Sequence, residues 1–276
     1  MYKISKMKIF LLVCLILVLV FINACGDRGT KDNNIVIKDS DRDTNNVNVG
    51  SNDNKDDNEN EVVGSNDSKD DEAVVETFLD ENNVVTNVES IEVVVNKQRN
   101  LDEKYVPEDL VTLTDVPTCL ANPEVNQLKK EAADALTDLF EKAKEELDIQ
   151  LYARSGYRSY NTQVSLYNGY VTNHGQEAAD TFSAKPGQSE HQTGLAMDIT
   201  SETVNLQLTE DFGDTDEGKW INENSYKYGF IVRYPKGKES ITGYMYEPWH
   251  IRYIGKELAK KVYESELTLD EYLFGE

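Results

Sequence analysis

Two short stretches of this 276-residue chain hold the residue types that could perform hydrolysis. One is Ser189-Glu190-His191-Gln192-Thr193-Gly194-Leu195-Ala196-Met197-Asp198; the other is Glu247-Pro248-Trp249-His250. Between them they carry two of the chain's three histidines, an aspartate and a spare glutamate. Two imidazoles and one carboxylate fill three positions around a catalytic zinc and leave the fourth to water, whose pKa the metal lowers to about 7. A carboxylate outside that set can take the water's proton and deliver it to a leaving amine. The remaining histidine, His174 in Asn173-His174-Gly175, reads as a helix-end residue.

For these residues to meet, strands must aim them. If Leu195 to Thr200 is a strand, Ala196 and Asp198 share one face by the period of two, with His191 on the turn before. The small Gly194 and Ala196 let another element approach closely. In a strand from Trp249 to Tyr253, His250 and Arg252 share a face, while Trp249 and Ile251 turn to the core. His191, Asp198 and His250 are therefore the expected metal ligands, and Glu247, just before the second strand, is the expected base. Upstream, Ser155-Gly156-Tyr157-Arg158-Ser159 follows a strand predicted at Gln150 to Ala153. Arg158 there could stabilise an oxyanion or hold a substrate carboxylate. Two plainer readings compete: a histidine–carboxylate pair can be only a buried hydrogen bond, and Arg158 can be an ion-pair partner of Glu190 or Glu247.

Around these motifs the pattern predicts a scaffold of helices and short strands without a regular βαβ rhythm, hence an α+β domain. Val93 to Val95 reads as a first strand. Asn122 caps a helix with Pro123 at its first position. Apolar residues from Val125 through Leu136 and Phe140 to Leu147 then form one stripe over about six turns. A second helix is predicted over Tyr160 to Asn173, and a third over Trp220 to Tyr228, closed by Gly229. Phe230 to Tyr234 reads as a strand. Two helices, Gly255 to Glu264 and Thr268 to Leu273, finish the chain.

The N-terminal part is of another kind. Lys3, Lys6 and Lys8 precede an apolar run from Ile9 to Ile22, the pattern of a secretory signal, and the run is shorter than a membrane span of about 20 residues. It ends in Ala24-Cys25-Gly26, which resembles a bacterial lipoprotein signal cleaved before Cys25 so that this cysteine carries lipid. A plain signal peptide, or an uncleaved anchor, is the alternative. Residues 25–90 form an acidic linker, with eighteen acidic and six basic residues between 26 and 90, and are too polar to offset the entropy of ordering. A nonamer, Val49 to Asp57, recurs imperfectly as Val63 to Asp71. Such a tether reaches roughly 45–50 Å as a random coil. The third cysteine, Cys119, has no partner for a bridge once Cys14 goes with the signal, and is expected to be a small buried residue. A formal net charge of -23 leaves no basic footprint for nucleic acid or anionic lipid.

Residues from about 95 to 273 resemble the VanY-like zinc D-alanyl-D-alanine carboxypeptidases, which trim peptidoglycan stem peptides. The resemblance rests on Ser155-Gly156-Tyr157-Arg158-Ser159-Tyr160 with Gln163, on Pro186-Gly187 with the stretch from Ser189 to Asp198, on Gly229-Phe230 with Arg233-Tyr234-Pro235, and on Gly243-Tyr244 with Glu247 to Tyr253. It implies zinc on His191, Asp198 and His250, Glu247 as catalytic base, Arg158 facing substrate, and Gln163 and Ser189 as substrate-binding helpers. It also implies the small α+β fold shared with Hedgehog signalling domains, an antiparallel sheet flanked by helices. The expected protein is a lipid-anchored monomer on the outer face of a bacterial cytoplasmic membrane, its catalytic domain spanning 91–276. Its expected reaction is removal of the terminal D-Ala from stems ending in D-Ala-D-Ala. The alternatives are L,D-cleavage of tetrapeptide stems and an inactive zinc-bound wall-binding module.

Overall fold

The computed structural model describes residues 78–275. The signal segment, Cys25 and most of the acidic linker lie outside the described residues. Among the described residues no helix is long and apolar enough to cross a membrane.

The frame of the molecule is a four-stranded antiparallel sheet, β3 (Leu151–Ser155), β4 (Ala196–Ser201), β6 (Glu247–Tyr253) and β5 (Phe230–Tyr234), ordered β3-β4-β6-β5. A two-stranded hairpin, β1 (Leu110–Thr112) with β2 (Gln127–Lys129), stands apart from it. Helix α1 (Lys130–Leu147) carries the predicted stripe: Ala132, Leu136, Leu139, Phe140 and Ala143 are buried and join one core with Met197, Ile199 and Ile251 of the sheet. Apolar residues on alternate strand positions therefore meet apolar residues at three- and four-residue helical spacing. Helix α1 stops where Asp148 takes a left-handed conformation, φ 53°. Helices α2 (Tyr160–His174) and α3 (Gln176–Phe182) follow β3, and α4 (Asp216–Asn224) precedes β5. A single turn, α5 (Glu239–Thr242), leads into β6; α6 (Lys256–Ser265) and α7 (Leu269–Phe274) close the chain. Thr268 and Glu271 form a capping box at the start of α7.

Four sequence expectations change. The first long helix begins at Lys130, not at Asn122, and residues 127–129 form β2. The reason is local: the carbonyls of Val125 and Gln127 accept hydrogen bonds from the backbone N–H groups of Gly156 and Tyr157, so they are not free for a helix. Val93 to Val95 is not a strand, although all three residues are buried. The carbonyls of Ile91 and Val93 are instead taken by the guanidinium of Arg252. Cys119 is half-buried rather than buried. Within the stretch assigned to the linker, residues 78–90 make backbone bridges and Val85 joins the core.

Candidate active site

Strand register builds the centre. Asp198 of β4 lies directly opposite His250 of β6, and Ser155 of β3 opposite Asp198. Opposed residues of an antiparallel pair project to the same face with Cβ atoms about 5 Å apart. His191 arrives from a short 3-10 turn, Glu190–Thr193, which Gly194 closes at φ 68°. A side chain at Gly194 would collide with Leu110, so the glycine serves both the turn and the close packing of the hairpin. The result is a buried cluster: the ligand atoms of His191, Asp198 and His250 all lie within 4.8 Å of one another.

Hydrogen bonding fixes which ring atoms face inward. His191 Nδ1 lies 2.8 Å from the carbonyl of Gly156 and must donate to it, leaving the Nε2 lone pair 3.4 Å from Asp198 Oδ2. His250 Nε2 lies 3.2 Å from Glu190 Oε2 and donates to it, leaving Nδ1 3.1 Å from Asp198 Oδ1. His191 Nε2 and, once its proton is lost, His250 Nδ1 thus turn lone pairs toward one carboxylate. Such a set of acceptors calls for a cation between them, either a proton or a metal. Two His nitrogens and one carboxylate oxygen, each His held from behind by a carbonyl or carboxylate, form a donor set suited to zinc.

The backing of each ligand is itself built. A Cβ on Gly156 would come 2.3 Å from the carbonyl oxygen of Gln127 and 2.8 Å from Met197, so only glycine lets the chain pass where its carbonyl holds His191. The backbone N–H of Arg158 reaches back to the carbonyl of His191, tying the two motif turns together. Behind His250, Glu190 is 1 % exposed. Its Oε1 accepts from Arg233 Nε at 2.7 Å and Arg252 Nη1 at 3.0 Å. Arg233 in turn pairs with Asp270 of α7, which also accepts from Asn96. Burial works against the Glu190 carboxylate, but the two guanidinium charges outweigh it and hold it far below the usual carboxylate range.

Glu247 has a different setting. It is buried, lines the same cavity, and receives no hydrogen bond from any described residue; its Oε2 lies 3.9 Å from His250 Nδ1. Burial, helped by the neighbouring charges of Asp198 and Glu190, pushes it up to about 8. Burial also disfavours the charged form of His250, yet hydrogen bonds to Asp198 and Glu190 prevail and raise it to about 9. Burial lowers His191 instead. Asp198, despite its burial, is held well below the usual range by the two histidines.

The remaining sequence candidates surround this centre. Arg158 pairs with neither Glu190 nor Glu247 as ion partners in direct contact. It donates to Gln163 Oε1 at 2.8 Å and to Ser155 Oγ at 3.0 Å, and lies 3.8 Å from Asp198 Oδ2. Gln163 passes the connection on to the carbonyl of Ala184 at 2.6 Å. Arg158, Ser189, Glu247, Tyr234, Tyr244 and Trp249 line a cavity of about 340 Å³ over the cluster. His174 ends α2 in an exposed position outside the cluster. The motif reading overlooked the roles of Glu190, Arg233, Arg252 and Asp270. A signal was present: Arg233 interrupts the run Phe230 to Tyr234, Arg252 lies between Ile251 and Tyr253, and a buried guanidinium requires a buried acid.

The family described as VanY, D-alanyl-D-alanine carboxypeptidase, matches residues 125–256. The Bacillus subtilis (strain 168) protein YodJ is 48% identical over 195 residues, covering 70% of this chain and 71% of that protein. Among solved structures, the LdcB LD-carboxypeptidase has 49% sequence identity and a TM-score of 0.65, covering 68% of this chain and 88% of that one. A variant of the vancomycin-resistance D,D-pentapeptidase VanY in complex with Zn(II) has 34% identity and a TM-score of 0.55, covering 66% of this chain and 98% of that one.

Proposed function

This chain belongs to the VanY family of D-alanyl-D-alanine carboxypeptidases, and on that premise we propose that it is a zinc carboxypeptidase releasing the terminal D-alanine of peptidoglycan stem peptides. The observation that carries the reading is the division of labour in the site. Three acceptors converge in one buried cluster, and one buried carboxylate, Glu247, stands beside them without a hydrogen-bond donor.

His191 Nε2, Asp198 and His250 Nδ1 would hold the metal. Zinc bound there would supply Lewis acidity toward the scissile carbonyl and acidify the attacking water. The other steps belong to the chain. Glu247 accepts the water's proton and returns it to the amine of the departing D-alanine. Its burial suits it to both tasks, because a carboxyl raised toward neutral pH is a stronger proton acceptor than a solvated one. Arg158, oriented by Gln163 and Ser155, offers a guanidinium fork to a carboxylate or oxyanion. Ser189, on the cavity wall, adds a hydroxyl. Glu190 keeps the Nε2 proton on His250 and so keeps Nδ1 free for coordination.

Two bonds are candidates for cleavage. D,D-cleavage of stems ending in D-Ala-D-Ala follows from the family description. The second reading, L,D-cleavage of tetrapeptide stems, is favoured by the 49% identity to the LdcB LD-carboxypeptidase, against 34% for the D,D-pentapeptidase. Defined tetra- and pentapeptide stems incubated with the zinc-loaded protein, with products identified by mass spectrometry, distinguish them. Pentapeptide cleavage alone supports the D,D reading and tetrapeptide cleavage alone the L,D reading. Zinc binding without cleavage of either would replace both with a wall-binding module. The proposal includes a lipid anchor at Cys25 and an acidic linker that carries the domain from the membrane toward the wall. Its support is the Lys3–Lys8 and Ile9–Ile22 pattern ending in Ala24-Cys25.

A further inference from the structure

Beside the catalytic cavity lies a second, smaller one of about 140 Å³, lined by Lys97, Asp180, Ser183, Lys185, Gln188 and Tyr244. Ser183 and Tyr244 line both cavities, so the two share a wall. Ser183 is tied to the reaction side through Gln163, which also receives Arg158. Lys97 comes from the segment upstream of residues 125–256, outside the stretch that matches the family.

The charge in this side pocket is unbalanced. Asp180 is its one carboxylate, and it is already engaged: Oδ1 accepts from the Tyr167 hydroxyl at 2.5 Å, and Oδ2 faces Lys185 Nζ at 3.6 Å. Lys97 has no carboxylate within ion-pairing distance among the described residues. Its Nζ donates to the backbone carbonyl of Asp180 at 2.7 Å and sits 4.5 Å over the ring of Tyr244. Its stem lies against Gly243, where a Cβ would come 3.0 Å from the lysine chain and where φ is 73°, so the turn is shaped to seat this side chain. Burial lowers the Lys97 pKa, and Lys185 adds to the effect against the pull of Asp180. Tyr244 is 4 % exposed, and its hydroxyl is buried without a hydrogen-bond partner. A partly desolvated ammonium and a second ammonium facing one already engaged carboxylate in a small pocket are complementary to an anion.

We propose that this side pocket is a subsite for a free carboxylate on the acyl part of the substrate, within two residues of the bond that is cut. The inference rests on the proposed reaction, since the shared Tyr244–Ser183 wall is what brings the carboxylate next to the scissile bond. A side chain ending in ammonium and carboxylate would be preferred over one ending in ammonium alone, which meets Lys97 and Lys185 as like charges.

The test uses stem peptides identical except at the third residue, meso-diaminopimelate in one and L-lysine in the other. Binding of the corresponding tripeptides to the zinc-loaded full chain in detergent is measured by calorimetry, and cleavage of the tetra- and pentapeptides by D-alanine release. The expected result is roughly tenfold tighter binding of the diaminopimelate peptide, falling as salt rises, with the same preference in kcat/KM. Lys97→Met keeps the packed stem, and Lys185→Met changes a half-exposed side chain; each should bring the ratio toward one. Equal binding in the wild type, a preference that survives both substitutions, or no binding of either peptide overturns the subsite. Preferential binding without any cleavage overturns the proposed reaction and leaves the subsite standing.

Discussion

Loading the site with zinc should expel protons, and the number follows from the cluster. In the metal-free protein, His250 is held up at about 9 by Asp198 and Glu190, and Glu247 is pushed up to about 8 by burial. Both values lie above 7, so at pH 7 each group is mainly protonated. His250 Nε2–H is held by Glu190, so the proton that must leave is the one on Nδ1, between the ring and Asp198. A dication beside Glu247 favours its ionised form, which removes a second proton. His191 contributes none, because burial already keeps it neutral. Zinc binding at pH 7 should therefore release close to two protons, and between pH 6 and 8 the affinity should rise about 10- to 100-fold per pH unit. Calorimetry in buffers of different ionisation enthalpy reads the proton count directly. A pH-independent affinity, or fewer than about half a proton released at pH 7, would refute the assignment of His250 Nδ1 as a ligand.

Further predictions test the supporting shell. Gly156→Ala places a methyl where the Gln127 carbonyl already is, so it should destabilise the fold by about 3 kcal/mol or more and weaken zinc binding, read by chemical denaturation and metal titration. Arg233→Met leaves Asp270 without its guanidinium partner and Glu190 with Arg252 alone, and should cost roughly 3–5 kcal/mol in urea unfolding, although neither acid belongs to the expected ligand set. The metal-free protein should be most stable between about pH 5 and 7. Glu190, Asp198 and Asp270 have folded pKa values below their unfolded ones, so their contribution is full above about pH 4.5 and is lost as pH falls below it. His250 is raised, so its contribution is full below about 6.5 and is lost as pH rises through about 9, while the raised Glu247 adds a penalty that grows from about pH 4.5 to 8 and stays in full above it. Urea midpoints at pH 3.5, 6 and 9.5 in the presence of a chelator check this; a midpoint higher at 9.5 than at 6 would count against it.

The convergence of His191, Asp198 and His250 was legible because strand periodicity is local. Once Ala196–Ser201 and Glu247–Tyr253 are strands, Asp198 and His250 need only be paired to share a face. The stripe of α1 was legible for the same reason, but its start was not. Asn122-Pro123 carries good capping chemistry, and what overrides it is a tertiary bond from Gly156 to the carbonyl of Val125, invisible to local propensity. Val93 to Val95 has strand composition, yet a guanidinium 159 residues away in sequence takes the carbonyl of Val93. The Glu190–Arg233–Asp270 relay spans three elements brought together only by the fold. Charged residues in strand interiors hinted at it without naming the partners. The side pocket was likewise unreadable, because Lys97 and Lys185 meet across 88 positions of sequence.

The central claim is that Glu247 is a base apart from the ligand set. The direct measurement is zinc content together with D-alanine release for Glu247→Ala beside the wild type. Zinc retained at one equivalent, with release slowed about 10²–10⁴-fold, is the predicted result. A variant that turns over stem peptides as fast as the wild type, or one that loses its zinc, would contradict the account.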